Sequence, residues 1–179
     1  DRLQELAWLV GEWIEESPDS VVHSVCQWHD NNNFLMQEFR VQVSGQIAMS
    51  GTMRIGWDAV RKQFKSWVFA SHGGHSEGMW LRDGDAWIVK SHGSTSTGEA
   101  ASATYIYRQI DADTLGWRSF DRIVDGERSR KAMSVLDGGL LQCKRVTNSM
   151  KHVRIASEQP MSRGNRRHDL RSVFHSAGV

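Results

Sequence analysis

From Ser20 onward the side chains change character at every second position, in runs that end at turn-forming residues roughly every ten positions. Successive side chains of a strand point to opposite faces, so each run describes a half-buried strand. Val22, Ser24, Cys26 and Trp28 alternate with Val21, His23, Val25, Gln27 and His29 before Asp30-Asn31-Asn32-Asn33 turns the chain. The next run is the clearest. Leu35, Gln37, Phe39, Val41 and Val43 share one face, Met36, Glu38, Arg40 and Gln42 share the other, and Ser44-Gly45 follows. Further strands are expected over residues 47–57, 63–71, 76–82, 86–92, 101–110 and 114–124, with Gly- and Asp-containing turns between them.

Many short strands at that spacing argue for an antiparallel meander, closed into a barrel or folded into a sandwich. No stretch is left for the helix that a parallel crossover needs, which excludes a doubly wound fold. Leu3, Leu6, Ala7 and Val10 keep a helical period until Gly11 breaks it, so a short helix precedes the first strand. The expected fold is all-β: an up-and-down barrel of about 8–10 strands with a short N-terminal helix. A chain of 179 residues has the length of one domain. The alternation is clear to about residue 130, and the barrel domain is assigned to residues 1–147. Residues 148–179 carry Lys151, Arg154, Arg163, Arg166, Arg167 and Arg171 against Glu158 and Asp169, without alternation, and are expected to form a basic, irregular or loosely packed tail.

Lys plus Arg number 22 and Asp plus Glu 21, so at a net charge of +1 no whole-chain field recruits nucleic acid or an acidic membrane. No run approaches the ~18 apolar residues of a membrane span, and the first residues lack a signal peptide's pattern. Cys26 and Cys143 are the only cysteines and stand far apart, so Cys26 reads as a small buried hydrophobe in a reducing, cytoplasmic setting. An unclosed barrel edge together with the basic tail makes a homodimer a candidate assembly.

Leu9-Val10-Gly11-Glu12-Trp13 resembles the opening of lipocalin-like, calycin-type barrels, in which a Gly-x-Trp element on the first strand closes one barrel end. The ordered set Arg54-Ile55-Gly56-Trp57-Asp58, Lys65-Ser66-Trp67-Val68-Phe69, Gly73-Gly74, Glu77-Gly78-Met79-Trp80, Trp87-Ile88-Val89-Lys90 and Ala101-Ser102-Ala103-Thr104 is similar to an uncharacterised bacterial barrel domain found C-terminal to NTF2-like (SnoaL-type) domains. The resemblance covers residues 1 to about 128 and implies a barrel, with an NTF2-like fusion partner in relatives. In that family the final strand would follow Arg122-Ile123-Val124-Asp125-Gly126-Glu127, whereas this chain continues differently.

Eight Trp against two Tyr is an unusual balance. Trp13, Trp67, Trp80, Trp87 and Trp117, with Arg118, Ser119 and Asp121 as polar partners, are candidates for an interior that orients one small ligand; the same rings could instead fill the core. Asp121 and Arg122 are adjacent and point to opposite faces, so at most one serves a cavity.

The histidines offer another chemistry. His72 and His75 bracket a turn and His92 ends the following strand, so all three fall at one barrel end. Three imidazoles with an open position suit a catalytic divalent ion such as Zn, Fe, Cu or Mn, with Glu77 as fourth ligand or general base. The alternative is three exposed loop histidines. His23 and His29 oppose Cys26 and Trp28 in parity and are expected to face solvent. Neither a Gly-x-Ser-x-Gly elbow nor a Gly-rich phosphate loop occurs. The preferred reading is a barrel that binds a small, largely apolar molecule. Beside it stand a metal-dependent hydrolase or oxygenase and a structural or interaction domain.

Overall fold

A computed structural model describes residues 2–128 and 140–147. A 3₁₀ helix, Arg2–Leu9, leads into β1 (Gly11–Glu16) and β2 (Ser20–Trp28). There follow β3 (Phe34–Val43), β4 (Gln46–Asp58), β5 (Gln63–Ala70), β6 (His75–Asp83), β7 (Ala86–Ser94), β8 (Ala100–Asp111) and β9 (Thr114–Val124). Two residues, Glu127–Arg128, form β10 as a hairpin arm on β9, and β11 is Leu141–Arg145. Each strand from β1 to β9 pairs antiparallel with the next, and β11 inserts between β9 and β1. The result is a closed up-and-down barrel of ten strands, as expected, and not a sandwich.

Turn chemistry sets much of this register. Ser44 and Gly45, at φ 50° and 76°, give the paired left-handed geometry whose twist matches a β-hairpin, and Asp125-Gly126 repeats it between β9 and β10. Between β4 and β5, Asp58 Oδ1 accepts the N–H groups of Val60 and Arg61 at 3.0 and 2.9 Å, which tightens the connection.

The expected final strand gains a successor. Ring closure comes from β11, where Lys144 lies opposite Thr114 and Arg145 opposite Trp13. Because β1 and β9 both pair with β11, that edge is occupied by the chain itself along these residues. The basic tail assigned to residues 148–179 lies outside the described residues. No helix among the described residues is long and apolar enough to cross a membrane.

The helix closes one end of the barrel. Its Leu3, Leu6 and Leu9 are buried and join Trp13, Leu35, Ile55, Phe64 and Trp87 in the core. Trp13 is 2% exposed, and its Nε1 donates to the Leu9 carbonyl at 2.8 Å, tying strand to helix. Arg145 completes the lock: its guanidinium lies 4.3 Å from the centre of the Trp13 ring, and Nη1 donates to the Val10 carbonyl at 2.9 Å. Gly11 has to be glycine here, because its φ of 148° disfavours a side chain and a Cβ would collide with Arg145 Nη1.

Trp13→Ala is expected to lower the unfolding free energy by about 3–5 kcal/mol, the usual cost of deleting a buried large aromatic. Arg145→Ala, which removes the ring contact and the bond to the Val10 carbonyl, is expected to cost about 1–3 kcal/mol. Urea denaturation followed by circular dichroism measures both; losses below 1 kcal/mol for Trp13→Ala would show that the end closure contributes little.

Candidate ligand-binding cavity

The inward positions of each strand change size along the barrel. Near the helix they carry Leu35, Ile55, Phe64, Trp80 and Trp87, and Phe64 meets both Trp57 and Trp87 edge-to-face at 5.1 and 5.4 Å. Farther along the same strands they shrink. β5 runs from Phe64 to Ser66, Val68 and Ala70, and β7 from Trp87 to Val89 and Ser91. On β6, Gly78 stands between Ser76 and Trp80, where a Cβ would press on Ser66 Oγ and Val89 Cγ1. These small residues leave a cavity in the half of the barrel away from the helix.

Across from that wall stand Val22 and Ser24 of β2, Gln37, Phe39 and Val41 of β3, and Met49 and Met53 of β4. Trp80, Tyr105, Tyr107, Leu115, Trp117 and Cys143 complete the lining. The space open to the centre of a water-sized sphere is about 150 Å³. At about 10–15 Å³ per water on that measure, it holds on the order of ten waters, or about 300 Å³ of liquid. That volume matches the lower end of small-molecule sites.

Every lining side chain is neutral. Tyr105 and Tyr107 are the chain's only tyrosines, and both lie in this wall. Burial pushes the Tyr107 phenol well above its usual range, with Tyr105 and Cys143 adding to the effect. Burial also raises Tyr105, opposed by the nearby positive charge of Arg122. The Cys143 thiol is pushed up to about 12 by burial, partly offset by a hydrogen bond with Trp117. All three groups therefore stay protonated at neutral pH. Trp80 stacks on Tyr107 at 5.1 Å and 18° between ring planes, and its Nε1 is buried without a hydrogen-bond partner among the described residues.

Of the tryptophans expected here, Trp80 and Trp117 line the cavity. Trp13 seals the helix end instead, and Trp87 packs in the core beneath it. Trp67 lies on the outer wall, opposite Glu77 and with Lys65 Nζ 5.2 Å from its ring centre, because Ser66 and Val68 take the inward positions. Arg118 also faces outward, over Phe120 at 5.5 Å, since Trp117 beside it points in. Asp121 sits where the β8–β9 register slips, at φ 50°, and pairs with Arg128 at 3.4 Å. That irregularity breaks the simple alternation by which its side was assigned.

The histidine cluster does not assemble. Ser76 and Ser91 point inward, so their neighbours His75, Glu77 and His92 project from the outer wall, and His72 lies in the β5–β6 turn. Glu77 faces His92 across the strands and binds Lys65 at 2.8 Å, a hydrogen bond that holds its carboxyl below the usual range. Among the described residues, no group of three or more His, Cys, Asp or Glu side chains is placed to hold a metal ion. On the outer wall, as parity requires, His23 Nε2 lies 2.9 Å from Glu12 Oε1.

The residues that sequence inspection passes over are Gln37, Ser24, Ser66, Ser76, Ser91, Tyr105 and Tyr107. Their one shared signal is an uncharged polar side chain on the inward parity of a strand. Comparison with protein-family models and with curated proteins finds no match to this chain.

With both tyrosines in one wall, tyrosinate absorbance reports on the cavity alone. In the unfolded chain both phenols are expected to ionise near pH 10; in the native protein ionisation is delayed above that. The folded values are raised, so their stabilisation is complete below about pH 10 and falls as pH climbs beyond it. Near-ultraviolet titration in buffer and in denaturant checks the shift, and a native titration midpoint at the unfolded value would contradict it.

Proposed function

We propose that the protein binds a small, largely apolar molecule inside its barrel and carries out no covalent chemistry on it. The observation that carries this reading is the cavity itself: a space of about 150 Å³ bounded by neutral side chains in an otherwise packed barrel. Protein interiors are normally filled to crystal-like density, so a space of this size in the half of the barrel away from its helix-closed end is suited to a guest. The fold class agrees with the lipocalin-like resemblance, and Gly11-Glu12-Trp13 stands where such a barrel is closed. We extend that reading to the bacterial barrel domains found behind NTF2-like domains. Two buried, unpaired cysteines suit a reducing, cytoplasmic setting.

Binding is read from tryptophan emission, because Trp80 and Trp117 lie in the cavity wall. Titration with small apolar compounds is expected to shift or quench that emission, with no change on adding a chelator. Ser91→Phe, which places a ring in the cavity, is expected to weaken binding at least tenfold while leaving the circular dichroism spectrum unchanged. Binding that survives this substitution would move the site elsewhere.

A further inference from the structure

Resting on the cavity reading above, we infer that the cavity selects an uncharged ring compound bearing an acceptor oxygen, a ketone or a similar carbonyl, seated at the Tyr105–Tyr107 end. Two independent features of the wall lead there, its lack of charge and an unpaired indole donor beside two phenols.

Among the described residues, no Lys, Arg, His, Asp or Glu lines the space. A carboxylate or ammonium entering it would lose its hydration without meeting a counter-charge in the wall, since Arg122, whose charge acts on Tyr105, lies outside the lining; protein interiors resist such a transfer strongly. The guest is therefore neutral, or is bound in its neutral protonation state.

Beyond the serines and Gln37, three donor-bearing rings sit side by side in the wall. Tyr105 and Tyr107 lie with ring centres 6.5 Å apart, and both phenols belong to the lining. Trp80, stacked on Tyr107, contributes a buried indole N–H that has no hydrogen-bond partner among the described residues. A phenol both donates and accepts, but an indole only donates, so the group that best satisfies this end is an acceptor. A buried donor left unpaired, as Trp80 Nε1 is, is costly, and an acceptor oxygen on the guest removes that cost where a hydrocarbon does not. Opposite, Phe39, Met49 and Met53 offer an aromatic face and two adaptable thioethers against which a flat ring can pack.

The test uses three compounds on one skeleton: naphthalene, 2-acetonaphthone and 2-naphthoate, titrated calorimetrically against the full chain at neutral pH. The ketone and the carboxylate are close in size and differ in charge. The ketone is expected to bind at least tenfold more tightly than the carboxylate and several-fold more tightly than naphthalene. Tyr105→Phe and Tyr107→Phe, which keep the rings, are expected to weaken the ketone by about two- to tenfold each, the range of a single hydrogen bond, and to leave naphthalene unchanged. Ser91→Phe is expected to abolish all binding. Equal affinities for ketone and naphthalene, insensitive to both Tyr→Phe changes, would overturn the acceptor assignment while the cavity reading survives. Tightest binding of the carboxylate would overturn the neutral-guest assignment. Absence of binding by all three would count against the cavity reading as well.

Discussion

The contact between Arg145 and Trp13 joins parts of the chain that no local interaction could bring together. Nη1 of Arg145 bonds to the Val10 carbonyl across 135 positions of sequence, and the same guanidinium covers the indole that holds the helix through Leu9. One side chain thus links the last described strand, the first strand and the helix. It also fills the space beside Gly11, where a Cβ would meet the guanidinium. A barrel whose first and last strands are pinned in this way has a fixed register, and a fixed register determines which residues face inward.

Given that closure, the cavity follows from side-chain size alone. On β5, β6 and β7 the inward residue nearest the helix is Phe64, Trp80 or Trp87, and those farther along are serines, glycines, an alanine and two valines. The large residues seal a floor and the small ones leave room above it. Filling that room with larger apolar side chains would recover dispersion contacts, on the order of a few kcal/mol for a void of this volume. The fold therefore holds a less than maximally packed interior, the kind of compromise expected where a site must stay available.

The barrel was legible because alternation is a strong signal when only one face is apolar. On β3, Leu35, Gln37, Phe39 and Val41 all face inward as their spacing requires. The site was less legible, for physical reasons that differ from strand to strand. β5 carries aromatic residues on both faces, Phe64 inside and Trp67 and Phe69 outside, so residue size misleads there. On β8, Ile106 separates Tyr105 from Tyr107 and blurs the alternation that places both phenols inside. At Asp121 a register slip changes the parity, and no turn residue announces it. β11 is five residues long with one buried side chain, Cys143, too little pattern to mark it as the strand that closes the ring.

A bias in the choice of candidate residues has the same origin. Arg118, Asp121, Glu77, His75 and His92 draw attention because they are chemically versatile, yet the fold sets every one of them on the outer wall or at a register break. Versatile side chains are those most costly to enclose, since a charge or imidazolium turned into a narrow barrel must find a partner there or give up its proton. An interior shaped for a neutral guest is built instead from hydroxyls and amides, which satisfy themselves with water when the cavity is empty and with the guest when it is full. In a chain of alternating strands, the informative residue is then the quiet one. Ser66, Ser76 and Ser91, each at an inward position where the pattern calls for an aliphatic side chain, mark the cavity, which no histidine among the described residues lines.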